Sequence, residues 1–351
     1  MDTAPNNSQW LPLGAGVPVR PSAKAAAKRL LTRGRAVAVK GKDDEQWLVE
    51  QRRVRTYAQF TEVVGQYRSI LGKRNTAVLF RGQQRDYFDS AGFLATLPAA
   101  LRSLRTADRY MDRERLTTLL ESWYAVLKRC GVDCSSRVGF TTSEGAGLHW
   151  IYADKSAQSR LASNPSLMAI AMHYGLKTPF LDVTPDPDTA LWFALHRAAR
   201  DKKKRIHFSS RKTPAMAAGV RASAQTDWAA IPSVQVYGQW KSFPEECPVI
   251  DLTEVKGLKG VADRPFIQHA VSLPFELIRM YPGAETDIGC LPEIWFSPVF
   301  RYPSAVIKIC FAAEELEKHR PDLTADYLFP KDELLYAELL KAAAPELAVY
   351  R

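Results

Sequence analysis

Apolar residues along this chain fall into short blocks of two kinds. Thr56 to Ile70 carries Phe60, Val63, Val64, Tyr67 and Ile70 at helical spacing. Met111 to Cys130 places Leu116, Leu119, Leu120, Trp123, Val126 and Leu127 on one helix face, which predicts a core helix. Between them lies Thr76 to Phe80, TAVLF, an unbroken apolar run of strand length. Further strands are predicted at Phe180 to Val183, Ile206 to Ser209, Cys247 to Leu252 and Ala305 to Cys310. Further helices are predicted from Pro165 to near Gly175, from Thr189 to Arg200, from Ala312 to Arg320 and after Phe329-Pro330. The strands are short and unequally spaced, and the helices alternate with them irregularly. That pattern predicts an α+β fold, a mixed or antiparallel sheet packed by helices, over a doubly wound parallel sheet. It divides the chain into an N-terminal tail and helical extension, residues 1–74, and one large domain, 75–351.

Charge and cysteine content narrow the setting. The 351 residues carry 48 Lys+Arg against 38 Asp+Glu, a formal net charge of +10. Such a surface suits phosphates, nucleic acid or acidic partners, and equally an ordinary solvated surface. Ser22 to Gly34, SAKAAAKRLLTRG, reads as a basic helix that is either a nucleic-acid arm or a solvated face. Five cysteines in so long a chain suggest a reducing compartment and no disulfide framework. Cys130 and Cys134 stand four apart, with neither a second pair nor a histidine cluster to make a zinc site. No secretory signal precedes the first elements, and no apolar run is long enough to span a membrane. The expected location is cytoplasmic.

Candidate chemistry concentrates between Met168 and His196. Imidazole, phenol, hydroxyl and carboxylate groups crowd a largely apolar stretch there, where burial demands hydrogen bonds or a use. His173 and Tyr174 fall at the C-terminal turn of a helix, whose dipole favours an imidazolium. Asp182 stands in a short strand between Leu181 and Val183. The fixed cation missing from that stretch is Arg81, which ends the TAVLF strand and is followed by Gly82, where a ligand or another backbone can approach. A buried Arg81–Asp182 pair holding the fold together would explain the same residues.

These residues also carry a family resemblance. Phe80-Arg81-Gly82-Gln83, then Met172-His173-Tyr174-Gly175-Leu176-Lys177-Thr178-Pro179-Phe180-Leu181-Asp182-Val183-Thr184, then Ala190-Leu191-Trp192-Phe193-Ala194, resemble the FRG domain, named for its Phe-Arg-Gly triplet. Arg264 to Gln268 and Phe329-Pro330 resemble its later, weaker elements. Met172 stands where the family pattern has Gln, and Val183 where it has Trp, so part of the usual site wall differs. The resemblance makes one constellation of Arg81, His173, Thr178, Asp182 and Gln268. No metal is implied.

Three functions compete. In the first, the chain is an NAD- or nucleotide-using transferase resembling ADP-ribosyltransferases, in a toxin or phage-defence role. Their early strand also ends on an Arg-Gly pair that anchors the dinucleotide. Here Arg81, Gly82, Gln83, Tyr174, Thr178 and Thr184 would bind NAD. His173 and Asp182 would be catalytic, and Gln268, or Glu276 or Glu293, would position the acceptor. The second is a phosphodiester hydrolase or nuclease with His173 as general base, oriented by Asp182. The third is a non-catalytic module binding nucleotide or nucleic acid.

Overall fold

The computed structural model describes residues 17–18, 35–40, 46–72, 76–88, 94, 123–132, 165–174, 180–200, 206–210, 228–240, 250–274 and 303–341. Its main sheet has six strands. In spatial order these are β1 (Val17–Pro18), β3 (Gln46–Val54), β11 (Ala305–Ile309), β8 (Ser233–Trp240) and β4 (Thr76–Gln83), with β2 (Ala36–Lys40) also pairing to β3. The β3–β11 pair is parallel and the rest are antiparallel, so the sheet is mixed and the chain is α+β. Residues 36–54, grouped by sequence with the N-terminal extension, therefore supply two strands of the sheet that β11 completes.

Helix α1 (Tyr57–Gly72) buries Phe60, Val64, Tyr67 and Leu71, spaced by four, three and four residues on one face. It packs on the sheet together with α4 (Pro187–Leu195) and α6 (Ala313–His319), enclosing a core that takes Ala305, Ile307 and Ile309 from β11. The opposite face of β11 contributes Val306 to a second cluster with Val37, Val39, Val49 and Leu94. Covered on both faces, β11 shows little alternation in sequence.

A second, antiparallel sheet consists of β5 (Phe180–Val183), β10 (Val271–Pro274) and β9 (Ile250–Asp251). Helix α3 (Pro165–His173) leads toward it, and α2, residues 123–129, contributes buried Trp123, Val126 and Leu127. The helix predicted from Thr189 to Arg200 stops at Leu195, and His196–Arg200 instead forms β6, paired with β7 (Ile206–Ser210). His196 has extended backbone (φ −115°, ψ 134°), and its ring stacks on Trp192 at 4.2 Å, turning the chain out of the helix. At the other end, Asp186 accepts hydrogen bonds from the Asp188 and Thr189 amides and Pro187 opens the first turn, a capping arrangement that contributes about 1 kcal/mol. Among the described residues no helix is long and apolar enough to cross a membrane.

Candidate functional site

Among the described residues one bridge joins the two sheets. The Phe80 amide donates to the Thr184 carbonyl (2.7 Å), and the Thr184 amide donates back to Phe80 (2.9 Å). Continued antiparallel pairing would set Gly82 opposite Asp182, yet the bridge is isolated and the two strands part beyond it. A cavity of about 400 Å³ lies in that seam, toward the lower end of small-molecule sites. Arg81, Gly82 and Gln83 line it from β4, Asp182 and Thr184 from β5 and its end, and Gln268 from beyond α5 (Arg264–Ile267). Residues spread over nearly 190 positions of sequence are thus brought to one space.

Strand alternation sorts the β4 residues. Phe80 and Gly82 point toward α4, while Arg81 and Gln83 share the other face. A β-carbon on Gly82 would overlap the Ala190 carbonyl oxygen and lie 2.7 Å from the Ala194 nitrogen. The glycine is there to admit the α4 backbone, the second of the two uses its sequence context suggested. With the Gln83 amide oriented so that its oxygen faces the guanidinium, that oxygen lies against all three Arg81 nitrogens, Nη1, Nη2 and Nε. Gln83 is buried, so it holds the half-buried arginine toward the cavity.

Asp182 joins two environments. Its side chain is 46% exposed, while the His173 ring behind it is 2% exposed, with Nε2 at 3.3 Å from Asp182 Oδ1. That Nε2 is buried and has no partner in hydrogen-bond geometry, the Asp182 carboxylate 3.3 Å away included. His173 is absent from the cavity wall; Asp182 stands between it and any bound molecule. The Thr184 hydroxyl accepts from the Asp186 amide (3.0 Å), and Gln268 donates through Nε2 to the Leu328 carbonyl (2.7 Å). Both residues are therefore held rigidly at the wall. Thr178, Glu276 and Glu293 lie outside the described residues.

Tyr174 points elsewhere. Its ring is buried between Trp123, at 5.7 Å between centroids, and the Arg264 guanidinium, 4.5 Å over the ring. Arg264 in turn holds the His173 carbonyl (3.1 Å) and sits 5.1 Å over the Phe329 ring, while its own amide donates to Glu333 (2.5 Å). This cluster ties the end of α3 to the C-terminal segment, apart from the cavity. Burial pushes the Tyr174 phenol well up, with Glu333 adding to the shift. Burial also pushes the Glu333 carboxyl up, against the pull of Arg264. A carboxyl raised in the folded state contributes stability below its unfolded pKa and loses it as pH rises through the folded value. Glu333→Gln is expected to flatten the dependence of the urea midpoint on pH from mildly acidic to neutral, where the parent protein loses stability.

Several cavity residues carried no signal in the sequence. Gln84, Tyr87 and Thr189 line it, Gln84 and Tyr87 from a stretch that reads as loop. Next to them Asp86 is buried, accepting from Lys308 Nζ (2.5 Å) and the Ser233 hydroxyl (2.6 Å). Among the described residues no group of three His, Cys, Asp or Glu side chains gathers as a metal site.

Fold and site together define an α+β protein with a polar, arginine-bearing cavity in the seam between two sheets. Residues 146–203 match the family model described as FRG domain. The matched segment runs from before α3 through β6, so it holds Asp182 and Thr184 while Arg81 and Gln268 lie outside it. No curated protein and no solved structure matches the chain.

Proposed function

We propose that the seam cavity binds a nucleotide-type anion and that the protein is an NAD-using transferase of the ADP-ribosyltransferase kind. One observation carries the reading: Arg81 and Asp182, a cation and a carboxylate from separate sheets, line one cavity with the Gln83 and Gln268 amides. A guanidinium fork matches phosphate oxygens, and a carboxylate accepts from ribose hydroxyls. In the transfer, the ribose C1′–nicotinamide bond breaks with its electron pair on nicotinamide. An acceptor nucleophile bonds to C1′, and Asp182 takes the proton that the nucleophile releases. His173 stands behind Asp182 with its ring buried, its Nε2 3.3 Å from Oδ1. That burial also weighs against the hydrolase reading, because a general base must reach its water.

The test is ADP-ribose binding by calorimetry and consumption of labelled NAD, with the parent protein and Arg81→Ala. Losing a charge-assisted pair is expected to weaken ADP-ribose binding about tenfold or more, while the partly exposed position leaves stability nearly unchanged. Binding without NAD consumption would leave a nucleotide-binding module. Absence of both, or RNA degradation lost in His173→Ala, would overturn the proposal.

A further inference from the structure

Tyr87, like Gln84 and Thr189, lines the cavity without a part in phosphate binding or transfer, and of the three only Tyr87 is aromatic. Three aromatic side chains line the cavity: Phe80, Phe193 and Tyr87. Phe80 is fully buried in the main core, and Phe193 packs against that core, edge-on to Trp192 (5.4 Å) and Phe329 (5.9 Å). Tyr87 lies outside the two described core clusters and is 39% exposed, so part of its side chain faces solvent.

Its neighbours fix it in place. Asp86, on one side, is anchored by Lys308 and Ser233, and its amide donates to the Ala229 carbonyl (2.9 Å). Phe88, on the other, bridges to Leu94 and packs on the second core cluster. Tyr87 is therefore held outward at the cavity wall by two inward-facing neighbours rather than by its own burial. The Arg85 guanidinium, which is not among the residues lining the cavity, lies 5.2 Å over its ring and braces it. Flat aromatic and guanidinium surfaces, pre-positioned and partly exposed, are what unstacked nucleobases pack against.

We infer that Tyr87, braced by Arg85, is the nucleobase shelf of the cavity, so that the ligand is a nucleotide and not a bare sugar phosphate. This rests on the nucleotide reading, with Arg81 taking phosphate and Asp182 taking ribose hydroxyls. Tyr87 then sets specificity by stacking and takes no part in bond breaking. Its hydroxyl is dispensable for that task and its ring is not.

Calorimetric titration with AMP and with ribose 5-phosphate separates the parts. The parent protein is expected to bind AMP about tenfold more tightly than ribose 5-phosphate. Tyr87→Ala is expected to erase that preference while leaving ribose 5-phosphate affinity unchanged, and Tyr87→Phe to keep it. Equal affinity of the parent for both ligands would overturn the shelf and leave the anion site standing. So would an equal loss for both ligands in Tyr87→Ala. Failure of the parent to bind either ligand would overturn the nucleotide reading and the shelf with it.

Discussion

Gly82→Ala is expected to cost about 3 kcal/mol or more of folding stability, at or beyond the upper end for overpacked sites. The added carbon would meet backbone. It overlaps the Ala190 carbonyl oxygen and crowds the Ala194 nitrogen (2.7 Å) and the Phe193 β-carbon (2.9 Å). Flexible side chains can swing aside; a helix carbonyl moves only if the helix moves. Helix α4 would have to lift off β4, and with it would go Ala190, Leu191 and Ala194, all buried in the main core. Since domains are stable by roughly 5–15 kcal/mol, a large share of the total is at risk. Urea denaturation followed by far-UV circular dichroism measures it. A shift of the midpoint worth less than about 0.5 kcal/mol, the range of an indifferent surface change, would show that α4 is not seated on Gly82. Because Ala190 and Phe193 also line the cavity, any variant that survives should bind ADP-ribose more weakly.

Gly82 was also one of the positions most open to reading from sequence. A glycine after an apolar strand signals close approach, and only the approaching partner, a helix, had to come from the structure. Arg81 was legible for a similar reason: a guanidinium cannot deprotonate, so directly after an apolar run it needs an acceptor or a ligand, although β4 is the last strand in the sheet order and runs on to Gln83. Asp182, in a four-residue apolar strand, advertised itself the same way. Other elements were hidden by physical causes. The β8 sequence SVQVYGQW breaks its apolar run with glutamines and a glycine, yet Gln235 is buried because it accepts from the Tyr237 hydroxyl (2.8 Å). His196 to Arg200 extends a helical pattern in sequence, and the strand there exists because β7 pairs with it. Tyr174 reads as a ligand contact because burying a phenol is costly; its ring packs under Arg264, some 90 positions later, while its buried hydroxyl has no partner in hydrogen-bond geometry. Only the last was decided by a partner distant in sequence; Gln235 and Tyr237 are two residues apart, and β7 is the next strand after β6, so there the deciding contact is local but not periodic.

Lys308→Met is expected to destabilise the protein by about 3–5 kcal/mol, because it strands Asp86 as a buried charge without its ion-pair partner. Lys308 is a lysine in the apolar strand AVIKI, and both it and Asp86 are fully buried side chains, 2.5 Å apart. Coulomb attraction within such a pair offsets the desolvation of each charge only while both are present. The Asp86 carboxylate also accepts from the Ser233 hydroxyl, so three groups share one polar pocket between β8, β11 and the turn after β4. Asp86→Ala should cost a similar amount by stranding the ammonium. Replacing the whole set, Lys308→Met with Asp86→Leu and Ser233→Ala, removes both charges of this pocket and is expected to restore most of the loss. Urea midpoints of the two single variants and the triple variant form the test. A cost below about 1 kcal/mol for Lys308→Met would mean that water reaches the pair and that it behaves like a surface bridge. A triple variant no better than the worse single one would mean that shape, and not charge, anchors the turn. Either result would mean that the charge of this pair is not what holds Tyr87 at the cavity wall, and AMP titration of the same variants would then show no link between that charge and base preference.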